Sequence, residues 1–315
     1  MSDLNVGLTP WEFADLSAEN LVKQAQFAEK QGYDSIWLPE NHFGANAIPD
    51  PLTLLAAIAG GTNKIRLGTT SYLLTLRNPL QAAEQVAVLD QLSKGRLILG
   101  VGRGYAPDML KAYHVPPAQK RRIFSWALEI MKDAWSGEPV TLDDNEENAV
   151  VVYPQPFQKP WPPLWVAAFG PKALAQAGKL GLPYLCSPME SLQTLRGNFE
   201  VHRAEVVAAG LDLPEVVPLM RSVFVSEDQT LLKKVKHEVE SKTENARLKT
   251  DEGVEDWVII GEPNYVRDRL HQYQEELGMN YLVATRVRVS GIESKIMEES
   301  ILLLADICLL YTSDA

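Results

Sequence analysis

The hydrophobic pattern of this chain alternates between two periods from end to end, and few folds accept that. Dense apolar runs at residues 4–8, 35–38, 65–70, 96–101, 164–168, 183–186, 216–225 and 280–286 read as strands. Segments with apolar side chains at helical spacing fall between them, at 18–31, 51–60, 79–92, 117–135, 171–180, 191–209, 228–257, 261–277 and 292–304. Pro51, Pro79 and Pro171 stand where these helices open, because a first-turn residue needs no N–H. Eight strands alternating with helices predict an α/β protein of the (β/α)8 TIM-barrel type with insertions. A doubly wound sheet is the structural competitor. No internal repeat or linker divides the sequence, so residues 1–307 are expected to form one domain. An excursion at about 139–163 interrupts the rhythm. It carries Asp143, Asp144, Glu146 and Glu147, then a β-rich run from Val150 to Tyr153 and a cluster of prolines, and reads as a hairpin and loop.

Whole classes of function drop out on charge and motif. The 41 acidic and 30 basic side chains leave a net charge of -11, which opposes binding to a phosphate backbone. No apolar run is long enough to span a membrane, and Met1-Ser2-Asp3-Leu4 lacks the pattern of a secretory leader. With only Cys186 and Cys308, a disulfide scaffold is excluded and the cytoplasm is the expected compartment. There is no zinc spacing, no Walker loop and no nucleophile elbow, so no metal is expected. Gly100-Val101-Gly102-Arg103-Gly104 approaches a dinucleotide fingerprint but puts Tyr105 where the third glycine belongs.

A barrel of this type carries its chemistry just past the carboxyl ends of its strands. Four segments qualify: Pro39 to Gly44, Thr70-Ser71-Tyr72, Gly102 to Tyr105, and Phe169 to Lys172. Arg103 between two glycines offers a rigid fork to a phosphate, and Gly170-Pro171 opens a helix whose free N–H groups suit an anion. Either glycine pair also serves as a plain chain reversal. His42 is a candidate acid–base group, and His114 lies in a loop that reaches the same end. His202, His237 and His271 fall in polar helices and are expected at the surface. Cys186 reads as a small buried apolar residue. Trp11, Phe13, Phe43, Tyr72, Tyr105 and Leu110 are candidates to line the substrate side.

Several ordered pieces resemble the luciferase-like flavin-dependent monooxygenase family. Trp37-Leu38-Pro39-Glu40-Asn41-His42-Phe43 is similar to the family's Trp-x-x-Glu-His-His-Phe, and Asn78-Pro79-Leu80-Gln81-Ala82-Ala83-Glu84 to its His-Pro-x-Arg-x-x-Glu. The run Leu89 to Arg96, followed by Gly100 to Gly104, and Gly261-Glu262-Pro263 before a helix also match. The resemblance implies a barrel that binds reduced FMN. It implies Arg103 as a phosphate ligand, with backbone amides near Phe169 and Gly170 completing that site, and Gly104 and Tyr105 as further cofactor-binding residues. It further implies Thr70-Ser71 as a bulge, often cis in this family, beneath the flavin ring, and a homodimer. Two departures stand out: the first histidine of the family's pair is Asn41, leaving His42 to match the second, and Phe169-Gly170 lacks hydroxyl side chains. Asn41 donates a hydrogen bond but is no base near neutral pH.

The activity implied is a two-component monooxygenase, in which a separate flavin reductase supplies reduced FMN and dioxygen oxygenates a small organic substrate. A deazaflavin (coenzyme F-420) hydride-transfer enzyme is the alternative within the family, and it calls for more basic residues at the phosphate site than Lys172 alone. A flavin-binding protein without turnover is the third reading, kept by Asn41. Residues 308–315 do not continue the family's ending and resemble translated sequencing-adapter sequence, so a native end near residue 307 is expected.

Overall fold

In the computed structural model the described residues are 4–12, 15–143, 145–244 and 253–308. By internal packing they divide into two compact units, one of residues 16–25 and 37–167, the other of residues 1–15, 26–36 and 168–315.

The 37–167 unit contains the start of α1 (Ala18–Lys30), the end of β2 (Ser35–Leu38), α2 (Pro51–Gly61), β3 (Arg66–Thr69), β4 (Tyr72–Leu73), α3 (Pro79–Ser93), β5 (Leu97–Gly102), α4 (Pro107–Ala112), α5 (Lys120–Ser136) and β6 (Leu164–Ala167). β5 is its centre, and it is buried along its whole length. It runs parallel to β3 through Leu67–Leu97 and Gly68–Ile98, to β4 through Tyr72–Val101, and to β6 through Leu99–Leu164. Parallel strands covered by helices explain why these segments read as continuous apolar runs. The helix ends follow local chemistry. Asp50 caps α2 by accepting from the Thr53 N–H, and Asn78 caps α3 by accepting from Leu80 and Gln81. Gly95 at φ 79° completes the turn out of α3.

The excursion is held to this unit by a polar lock. Asp90, fully buried on α3, accepts from both the backbone and the side-chain amide of Gln158 at 2.8 Å. The expected hairpin reduces to one antiparallel bridge, Val140 to Val150, because the Thr141–Ala149 segment folds on itself around Asp143, which accepts from Thr141, Asn145 and Asn148. Asp144 lies outside the described residues.

The 168–315 unit takes in β1 (Asn5–Leu8) and the start of β2. It continues with α6 (Pro171–Lys179), β7 (Tyr184–Leu185), α7 (Leu192–Ala208), β8 (Pro218–Val225), α8 (Gln229–Glu244), β9 (Val258–Gly261), α9 (Pro263–Leu277), β10 (Tyr281–Thr285) and α10 (Ser294–Cys308). β1 pairs in parallel with β10 and with Ser35–Ile36 of β2, and β10 pairs with β8. The parallel α/β architecture is therefore as expected, with ten strands among the described residues where eight were expected. β9 is one of the additional strands, pairing with β8 through Ser222–Val258 to Val225–Gly261. A ladder between β7 and β8, which closure into a barrel needs, is absent among the described residues. The Met220 N–H of β8 instead reaches Cys186 Sγ at 3.3 Å. Burial pushes that thiol up to about 11.

His202, expected at the surface, is buried on α7, and its Nε2–H donates to the Leu182 carbonyl. The helix around it is otherwise polar, but α6 packs closely enough there that a Cβ on Gly178 would meet the His202 carbonyl at 2.8 Å. Cys308 ends α10 and is buried, its thiol pushed up to about 12 by desolvation; the residues after it lie outside the described set. No described helix is long and apolar enough to cross a membrane.

Candidate active site

Within the 37–167 unit the carboxyl ends of β3, β5 and β6 point the same way, because the strands are parallel. The Thr70 N–H donates to the Leu38 carbonyl at 2.9 Å, which ties the end of β3 to the end of β2. Just beyond, Glu40 organises the loop. Its side chain has no exposed surface and accepts from the Leu73 N–H at 2.9 Å, from Arg77 Nη1 at 2.8 Å and from His42 Nε2 at 2.9 Å. Arg77 donates also to the Leu73 carbonyl, and its guanidinium lies 3.9 Å above the Tyr72 ring. The result is a buried, paired and hydrogen-bonded charge, the arrangement a buried carboxylate needs.

That arrangement sets the state of His42. A carboxylate only accepts, so Nε2 carries a hydrogen, and in the neutral imidazole Nδ1 is then the acceptor. The Tyr113 hydroxyl lies 3.1 Å from Nδ1, and to a neutral imidazole with its hydrogen on Nε2 it is the donor. The His42 side chain is 5% exposed and Tyr113 is 40% exposed. Phe43, exposed at φ 64°, stacks on Tyr113 with ring centroids 6.0 Å apart. Asn41 does something different. Its side-chain oxygen accepts from the Ile48 N–H at 2.7 Å while its own N–H donates to the Ile48 carbonyl, so it closes the 41–48 loop.

The peptide between Thr70 and Ser71 is cis. Gly102 makes room for this turn, since a Cβ there would collide with Ser71 Oγ. Thr69 Oγ1 donates to the Gly100 carbonyl, which binds the β3 and β5 ends together. Arg103 follows immediately. It is buried, donates from Nη2 to the Ala167 carbonyl at 2.7 Å, and lies 5.2 Å from the centre of the Phe124 ring. Burial, with Arg121 adding repulsion, pushes its guanidinium down to about 10. Lys120 donates to the Gly104 carbonyl at 3.3 Å, and its ammonium is lowered by burial and then by Arg103 and Arg121. Three cations thus converge at the end of β5. Tyr105, next in sequence, is exposed.

Phe169 and Gly170 belong to the 168–315 unit. Gly170, at φ 79°, opens α6 without a side-chain cap, and its carbonyl accepts from Ala173 and Leu174. Phe169 is exposed. Of the expected lining residues, Trp11, Tyr72 and Leu110 are buried in the packing, Phe43 and Tyr105 are exposed, and Phe13 lies outside the described residues. Arg77, Tyr113, Lys120 and Arg121 were not legible as site residues from sequence. The available signals were a glutamate two residues before the histidine and a basic run, Lys120-Arg121-Arg122, opening the long helix.

A family model described as luciferase-like monooxygenase matches residues 7–235, most of the chain. The chain belongs to that family. Among luciferase-like relatives, the alkanal monooxygenase beta chain of Photorhabdus laumondii is 27% identical over 61% of this chain and 60% of its own length. The F420-dependent glucose-6-phosphate dehydrogenase of Kineococcus radiotolerans is 36% identical over 54% of each. The chain thus spans between half and two thirds of the length of these curated relatives. A solved structure of the oxygenating constituent of 3,6-diketocamphane monooxygenase from Pseudomonas putida superposes with a TM-score of 0.79, over 97% of both chains at 20% identity. That likeness carries the fold alone.

Proposed function

We propose that this chain is a flavin-dependent oxidoreductase working as the oxygenase of a two-component monooxygenase. It would take reduced FMN from a separate flavin reductase and use dioxygen to oxygenate a small organic substrate. The observation that carries this reading, in a chain of this family, is the cation cluster of Arg103, Lys120 and Arg121 at the end of β5. A buried guanidinium with further cations beside it is a setting that a phosphate complements by charge-assisted hydrogen bonds. The residues present therefore fit a phosphorylated flavin, as in the Pseudomonas putida oxygenase described as a complex with FMN.

Arg103 and Lys120 would hold the phosphate, with Gly104 giving the ligand close access to backbone. Thr70-Ser71 and Tyr105, at neighbouring strand ends, would lie along the ring. Bound reduced flavin supplies the electron pair that, with dioxygen, oxygenates the substrate. The chain's own part is to fix that ring, exclude water and manage protons around Glu40, His42 and Tyr113. We extend the proposal to a cytoplasmic homodimer, which light scattering tests.

The same cluster favours a second reading. Lys120 and Arg121 supply more positive charge than one phosphate monoester needs, which suits the longer acidic tail of coenzyme F-420, and a relative is named for that cofactor. A hydride-transfer enzyme would follow. The purified chain should consume oxygen and convert a member of a panel of aldehydes, ketones and sulfonates when given FMN, NADH and a reductase. Turnover only with reduced deazaflavin selects the second reading. Flavin binding with no turnover on either cofactor selects a non-catalytic protein, the option that Asn41 keeps open.

A further inference from the structure

We propose that the Tyr113 hydroxyl is the group through which this site exchanges a proton with its substrate, and that His42 stores the proton behind it. The identity of the reaction rests on the oxidoreductase reading above; the wiring rests on geometry alone. Both ring nitrogens of His42 are engaged, Nε2 by Glu40 and Nδ1 by Tyr113, so neither is turned to a ligand. The imidazole is nearly enclosed while Tyr113 is the exposed member of the pair. Tyr113 also sits in the right place. It caps α4, whose Met109 and Leu110 pack against Leu73 of β4, the residue paired with Gly102 at the end of β5. Phe43 stacks on its ring and His42 meets the ring edge, which fixes the hydroxyl's direction.

The transfer balances without an outside reagent. A substrate X–H gives its proton to Tyr113 Oη, the X–H electron pair staying on X. The proton that Tyr113 already carries moves along the existing 3.1 Å hydrogen bond to His42 Nδ1. His42 becomes an imidazolium whose Nε2–H still faces the Glu40 carboxylate, and nothing is oxidised or reduced. The reverse path returns a proton to an oxygen that needs one. Glu40 and Arg77 are positioning residues: the first fixes the tautomer and balances the charge, and the second holds the first.

The test has two arms. Nitrogen-15 NMR on the histidine-labelled chain without cofactor reads the tautomer, with His42→Gln assigning the signal. The expected result is hydrogen on Nε2 and a hydrogen-bonded, unprotonated Nδ1 whose resonance moves downfield in Tyr113→Phe. In turnover, Tyr113→Phe and His42→Gln each lower kcat by about 10²–10⁴-fold. KM and FMN affinity stay unchanged, and the double variant is no worse than the poorer single one, because the two act as a unit. A proton found on Nδ1, or an undiminished kcat in Tyr113→Phe, overturns the relay. If the wild-type chain turns over no substrate, the oxidoreductase reading fails, and the NMR arm by itself then decides the relay.

Discussion

At Glu40 three donors converge on a carboxylate that water does not reach, and the consequence is measurable. Glu40→Ala removes the carboxylate that pairs with Arg77 and the acceptor of the Leu73 N–H, and should lower stability by about 3–5 kcal/mol in denaturant titration. Glu190, in the other unit, shows the opposite problem. Burial raises its carboxyl above the ordinary carboxylate range, against the opposing effects of the Ser187 N–H, Tyr184, Arg221 and Asn198. The folded chain therefore holds that proton to higher pH than the unfolded chain. Stability should fall as pH rises from the ordinary value of 4.5 through the raised one, and Glu190→Gln should flatten that slope in urea midpoints measured across the window. At this scale the sequence is an uneven guide. His42 and Arg103 stand out because they follow apolar runs, whereas Tyr113 and Lys120 acquire a role only when α4 and α5 fold back over the strand ends.

Among the elements, the strongest constraint falls on β3. A Cβ on Gly68 would enter the ring of Trp37, which is fully buried and stacked 4.8 Å from Trp165. That ring pair has nowhere to move, so Gly68→Ala should destabilise by at least the roughly 1–3 kcal/mol typical of overpacking, seen as a lowered Tm. Most helices and the long apolar strands were legible in the sequence because caps, prolines and periodicity agree there. Three elements were not. β4, of two residues, and α4, of six, are too short to show a period. β9 falls in the short gap between the helical readings 228–257 and 261–277, too brief to show a period, although Val258 to Gly261 is buried throughout. The excursion was legible as an interruption. Its anchoring was not, since the bond from Gln158 to Asp90 joins residues far apart in sequence.

For the molecule as a whole, a net charge of -11 makes a local positive site conspicuous. A background of that sign repels anions, so binding at the end of β5 has to come from Arg103, Lys120 and Arg121 at short range. Lys120→Met should then weaken coenzyme F-420 more than FMN if the deazaflavin reading holds, and weaken both alike if Lys120 meets only the first phosphate; fluorescence titration separates the two. The central claim, that this cluster receives a flavin phosphate, is tested most directly by titrating FMN and riboflavin into the wild-type chain and into Arg103→Met. The account predicts that the wild type prefers FMN by at least about 10–100-fold, the worth of one charge-assisted hydrogen-bonding group, and that Arg103→Met lowers the preference by about that factor, leaving the part that Lys120 and Arg121 supply. Equal affinity of the wild type for FMN and riboflavin would contradict it.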